Sequence, residues 1–202
     1  MAANWGRKRW ARLPRTLLRS LVGPSDVRRW SDPSNLHPAW DARTVQMAAL
    51  IPPGSRVLDV GAGAMVLRDH LPAGCAYTPL DLVARTPETI VCDLNSPTPP
   101  GLPASDVVVL SGVLEYVEDA DRLLGHLYRV TTFVVASYAV ARGGRMEKVR
   151  RRASGWVNDY DGDRLVSLFL HHGFHCETSE RWQDQMLYRF RRMQIQPAFV
   201  RD

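Results

Sequence analysis

Residues 57–67 read VLDVGAGAMVL. An aliphatic run carries one acid, Asp59, then breaks into Gly61-Ala62-Gly63 before apolar residues resume. A strand that ends in glycines and runs on into a helix leaves backbone uncovered, so a ligand can lie directly against it. Outward from this point strands and helices alternate. The pattern predicts a helix over 39–50, strands over 56–60, 76–82, 89–92, 106–111 and 131–138, and helices near 64–71, 119–129 and 161–172, with Gly173 as the stop after the last. Two late strands follow near 174–180 and 185–192. This order predicts an α/β fold: a doubly wound, seven-stranded, mostly parallel sheet with helices on both faces.

The length, 202 residues, suits one such domain, and a core of that size needs neither disulfides nor a metal to hold it. Cys75, Cys92 and Cys176 are odd in number and lack CxxC spacing, which points to a reducing compartment. Charge is uneven. Residues 1–30 hold eight of the 26 basic groups and one of the 21 acids, a net +7, leaving −2 over residues 31–202. No apolar run reaches the ~18 residues of a membrane-spanning helix, so the expectation is a cytoplasmic protein, with peripheral attachment to a membrane surface open through residues 1–30.

Residues 8–22 pattern as an amphipathic helix, with Trp10, Leu13, Leu17, Leu18, Leu21 and Val22 on one arc and Lys8, Arg12, Arg15 and Arg19 opposite. A helix docked on the domain, a membrane-surface or anionic-partner helix, and an Arg-rich transit peptide all fit that pattern. Residues 1–38 thus read as a basic helix and lid segment, and 39–202 as the ligand-binding domain.

The glycine turn does not stand alone. Asp81 ends the next strand, YTPLDL, where a carboxylate can accept both hydroxyls of a ribose, and Asp93 closes IVCD. A nicotinamide fingerprint wants a third glycine at position 66, which here is Val66. Three acids at successive strand ends, with no lysine or arginine in the glycine turn, describe a site for a cationic nucleoside without phosphates.

VLDVGAGAMVL, PLDL, CDLN and SDVVVLSGVLEYVEDADRLL together resemble the successive motifs of class I S-adenosylmethionine-dependent methyltransferases, over roughly residues 40–195. The resemblance implies a Rossmann-like domain that binds S-adenosyl-L-methionine. It sets Asp59, Gly61, Ala62 and Gly63 against the methionine part, Asp81 and Leu82 at the ribose, Asp93 and Leu94 beside the adenine, and Ser111–Gly112 beside the sulfonium. One departure is Met65, where the family commonly has glycine.

Within that resemblance, absences narrow the acceptor. SGVLEY stands where base-amino methyltransferases have an Asn/Asp-Pro-Pro-aromatic turn, no cysteine follows proline, and the only lysines are Lys8 and Lys148. Nucleic acid is therefore not the expected partner. LEYV (114–117) falls where related enzymes often carry LEHV, so Tyr116 replaces the histidine and no metal is expected. Tyr116 and His37, which precedes the first helix of the domain, are the candidate catalytic residues; His126, His171, His172 and His175 read as surface or core residues. The basic stretch RGGRMEKVRRR (142–152) reads as a solvated loop, or as a capture site for an acidic acceptor. The expected activity is methyl transfer to a hydroxyl, amine or carboxylate of a small, anionic or lipid-linked molecule in secondary or cell-envelope metabolism. The competing expectation is a methyltransferase-like cofactor-binding subunit that supports a partner enzyme.

Overall fold

The computed structural model describes residues 25–97 and 101–194. The helix expected over 8–22 lies outside them. Seven strands form one sheet: β1 (Arg56–Val60), β2 (Ala76–Asp81), β3 (Ile90–Val91), β4 (Val107–Ser111), β5 (Phe133–Tyr138), β6 (Phe174–Trp182) and β7 (Gln185–Arg192). Their order is β3-β2-β1-β4-β5-β7-β6. β1 to β5 pair in parallel, whereas β7 pairs antiparallel with both β5 and β6, so the last two strands form a hairpin on the sheet's edge.

Strand alternation sends successive side chains to opposite faces. Leu58, Val60, Val108, Leu110, Val134 and Ala136 pack on one side, under α3 (Ala120–Val130) and α5 (Gly162–His171). There Phe169 stacks on Phe190 with ring centroids 3.7 Å apart. Val57, Val107, Val109 and Val135 pack on the other face against Met47 and Ala48 of α2 (Asp41–Ala48). A sheet buried on both faces needs near-continuous aliphatic strands, and VVVL and FVVA supply them. Among the described residues no helix is long and apolar enough to cross a membrane.

Three expectations change. The helix near 64–71 is a 3₁₀ segment, Val66–His70, entered through Met65 in the left-handed region at φ 56°. The helix over 39–50 begins as a 3₁₀ turn, Pro38–Trp40, with the α-helical part at Asp41–Ala48. The basic stretch 142–152 is not a solvated loop: Arg145–Ala153 is a helix, α4. Arg151 turns inward from it, only 2% exposed, and donates to Tyr138 Oη at 2.8 Å, to Asp159 at 3.0 Å and to the carbonyl oxygens of Ala139 and Asn158. A guanidinium whose three nitrogens each find an acceptor can be buried, and here it ties α4 to the end of β5.

Candidate active site

The strand order reverses between β1 and β4, with β2 and β3 on one side and β5 on the other. Connections leave a crevice at the carboxyl ends of strands at such a switch point. A cavity of about 800 Å³ opens there. Every residue expected at the site lines it: Asp59, Gly61, Ala62 and Gly63 from β1; Asp81 and Leu82 from β2; Asp93 and Leu94 after β3; Ser111 and Gly112 from β4; and Tyr116 and His37 from the turns around them.

The glycine at position 61 is demanded twice. Its φ is +75°, and a Cβ there would stand 2.5 Å from Val113 Cγ2. The turn is fastened by Gly61 and Ala62 N–H groups, both donating to the Leu80 carbonyl, and by Gly63 N–H, which donates to Asp81 Oδ2 at 2.8 Å. Asp81 also accepts from Val83 N–H at 3.1 Å and pairs with Arg85 at 3.4 Å, so one carboxylate holds the ends of β1 and β2 together. Asp93 accepts from Ser25 Oγ at 2.6 Å and from Asn95 N–H at 2.9 Å. The segment 25–40, which includes the short helix α1 (Val27–Ser31), is thereby strapped over the cavity rim, with Trp30 edge-on to Tyr116 at 5.2 Å.

Asp59 is 3% exposed and accepts a 2.8 Å hydrogen bond from Tyr77 Oη. Burial pushes its carboxyl up to about 7, against the counteracting Tyr77 hydrogen bond. The folded value lies above the unfolded one of about 3.9. The stability linked to this proton is therefore fully present below about pH 4 and lost as pH rises to about 7. Urea denaturation of the ligand-free protein should show stability falling from pH 5 to pH 8, and Asp59→Asn, which still accepts from Tyr77, should remove most of that slope. An equal slope in both proteins would show that other groups cause it.

The structure also supplies residues that the sequence reading passed over. Arg43, on α2, is 4% exposed and reaches the end of β4: Nε donates to Ser111 Oγ at 3.2 Å, Nη2 to the Ser111 carbonyl at 3.2 Å, and Nη1 to Gln185 Oε1 at 2.9 Å. The signal was present, since Arg43 stands one turn before Met47 on the face that α2 buries. Trp182, Gln183, Asp184 and Gln185, from the β6–β7 turn, line the cavity, as do Ser154 and Trp156 after α4. Arg29 lies over Trp30 at 4.5 Å and donates to the Ser154 carbonyl at 2.9 Å.

The sequence candidate His37 and the cavity-lining Glu115 carry structural duties. His37 Nδ1 accepts from Ala39 N–H at 3.2 Å and so caps the 3₁₀ turn before α2. Glu115 is 1% exposed; its Oε1 accepts from Ala139 N–H at 2.9 Å and its carbonyl from Val157 N–H at 2.8 Å. Glu115 pins the turn Leu114–Tyr116 to β5 and leaves Tyr116 on the cavity wall. Burial raises its carboxyl, with Arg43 and Arg151 pulling the other way.

Residues 34–179 match the family model described as a methyltransferase domain. No curated protein sequence matches the chain. Solved structures do. Human N-acetylserotonin methyltransferase in complex with S-adenosylmethionine is 16% identical, aligning 95% of this chain with 68% of its own at a TM-score of 0.66. The Burkholderia thailandensis 1,6-didemethyltoxoflavin-N1-methyltransferase, with its acceptor and S-adenosylhomocysteine bound, is 17% identical over 82% of this chain and 81% of its own, at 0.61. An O-methyltransferase of neocarzinostatin biosynthesis, bound to S-adenosylmethionine and 2-hydroxy-5-methyl naphthoic acid, is 20% identical over 81% of this chain and 59% of its own, at 0.59.

Proposed function

We propose, for a chain that belongs to the methyltransferase-domain family and uses S-adenosylmethionine, that the acceptor is a hydroxyl, amine or carboxylate on a small, flat molecule held in the same cavity. The observation that carries this reading is the cavity's lining. Asp59, Asp81 and Asp93 enter it from strand ends, and Trp30, Tyr116, Trp156 and Trp182 line it with them. Aromatic walls favour stacked planar ligands, and a volume of about 800 Å³ accommodates a nucleoside cofactor together with a small acceptor.

The protein's residues fit the cofactor on their own chemistry. Gly61 leaves bare backbone where any side chain would collide, Asp81 is a buried acceptor at the second strand end, and Asp59 is a buried acid beneath the glycine turn. S-adenosylmethionine supplies a methyl group activated by its own sulfonium leaving group. The chain's task is then to align the acceptor's nucleophile, exclude water and take up a proton where the nucleophile carries one; alignment alone is worth up to ~7–11 kcal/mol in well-oriented systems. Tyr116 is placed for alignment. It follows Ser111–Gly112 on the pinned turn, its ring is held against Trp30, and its hydroxyl has no hydrogen-bond partner among the described residues.

Tyr116→Phe should slow turnover about tenfold to a hundredfold while leaving S-adenosylhomocysteine affinity unchanged, as expected for loss of one orienting hydrogen bond. The assay is release of S-adenosylhomocysteine with a panel of hydroxylated, aminated and carboxylated aromatic acceptors. An unchanged rate in the variant would remove Tyr116 from the reaction. No turnover by the wild type with any acceptor class would sink the small-molecule reading.

A further inference from the structure

Three arginines line the cavity: Arg29, Arg43 and Arg85. The last two are held by the domain itself, Arg85 by Asp81 and Arg43 by Ser111 and Gln185. Arg29, half-buried on α1, makes no ion pair among the described residues, and its guanidinium has one hydrogen bond there, from Nη1 to the Ser154 carbonyl at 2.9 Å. Of the five N–H groups of a guanidinium, one is on Nε and two are on each Nη. Arg29 Nε is buried without an acceptor and one Nη1 N–H goes to Ser154, so three donors on Nη1 and Nη2 remain without a partner among the described residues.

The place is as telling as the count. The guanidinium carbon lies 4.5 Å from the Trp30 ring centroid and 5.6 Å from that of Tyr116. Aromatic faces hold the cation in place while displacing part of its water, and a partly desolvated cation gains more from an anion than one in bulk water does. Trp30, Tyr116 and Ser154, which hold the guanidinium, all line the cavity. An anion meeting Arg29 there lies beside planar walls that suit a flat ring. We propose that Arg29 sets acceptor specificity, and that the acceptor is an aromatic carboxylate whose ionised group pairs with the Arg29 guanidinium. This rests on the reading that a small, flat acceptor occupies the cavity together with S-adenosylmethionine. A planar guanidinium can give a carboxylate two parallel N–H bonds, which fix the orientation of the attached ring as well as its position. Because Arg29 belongs to the segment 25–40, the pair also joins the acceptor to the strap over the cavity rim.

Calorimetry on the full chain saturated with S-adenosylhomocysteine tests it with two probes of one shape: 3-hydroxy-2-naphthoate and its uncharged carboxamide. The wild type should bind the carboxylate about tenfold to a hundredfold more tightly, the range of charged hydrogen bonds. Arg29→Gln should erase that preference by weakening the carboxylate alone, and Arg29→Lys, which keeps the charge without the planar fork, should retain part of it. Equal binding of both probes by the wild type overturns the pairing without any variant having to fold and leaves the flat-acceptor reading standing, whereas binding of neither overturns both. Equal weakening of both probes in Arg29→Gln marks Arg29 as a fastener of the strap and also overturns the pairing. A phosphate is the other source of an anion. Titration of 2-naphthyl phosphate distinguishes it: binding that depends on Arg29 only in this arm would reassign the site to a phosphate and overturn the carboxylate assignment.

Discussion

Gly61→Ala is expected to cost about 2–5 kcal/mol of stability and to abolish measurable cofactor binding. Left-handed backbone costs a residue with a Cβ about 1–2 kcal/mol, and forcing a methyl into packed space adds about 1–3 kcal/mol. Position 61 incurs both, at φ +75° and 2.5 Å from Val113 Cγ2. Val113 cannot swing clear easily, because a β-branched side chain has few χ1 options and Val113 directly precedes the pinned turn Leu114–Tyr116. Gly54 is the internal control: its φ is +72°, yet a methyl group there would meet nothing within 4 Å, so Gly54→Ala should incur the backbone cost alone. Urea midpoints of the two variants measure the difference. Equal losses would mean that the close approach of Gly61 to Val113 contributes nothing.

Asp81→Ala should reduce S-adenosylhomocysteine affinity about tenfold to a hundredfold and also lower stability by roughly 3 kcal/mol. The first effect follows from removing the ribose acceptor. The second has a different origin: Arg85, its side chain 10% exposed, would lose its carboxylate, and Gly63 and Val83 N–H groups would lose their acceptor. A cycle with Arg85→Leu separates the two. In the Arg85→Leu background the stability cost of Asp81→Ala should shrink while the affinity cost persists. Unchanged affinity on removing the Asp81 carboxylate would dismiss it as the ribose acceptor, whatever happened to stability.

The parts of this molecule that were legible in its sequence are those governed by local pattern. Aliphatic runs with glycine ends mark β1 and β4, and acids at the ends of successive strands mark the cavity, because strand polarity alone carries them to one edge of a parallel sheet. What escaped reading depends on partners distant in the chain. RGGRMEKVRRR looks like a solvated charge run, yet Arg151 is buried because Tyr138, Ala139, Asn158 and Asp159 meet it in space. Arg43 reads as one more basic residue until Gln185, 142 positions later, is brought beside it. Met65 shows a third limit. Its left-handed φ of 56° suits glycine, the residue that the resemblance leads one to expect there; the departure is visible in the sequence, whereas the conformation it must adopt is not.

The fastening of residues 25–40 bears on kinetics. Ser25 Oγ is bonded to the Asp93 carboxylate, the acid expected at the adenine end, and Asn95 Nδ2 bonds both Ser25 Oγ and the Tyr116 carbonyl. The segment 25–40, the end of β3 and the Tyr116 turn are therefore joined by one small hydrogen-bond cluster. If the cofactor's adenine takes the Asp93 end, its exchange has to break this cluster, and a shorter residence time of S-adenosylhomocysteine in Ser25→Ala than in the wild type would show it.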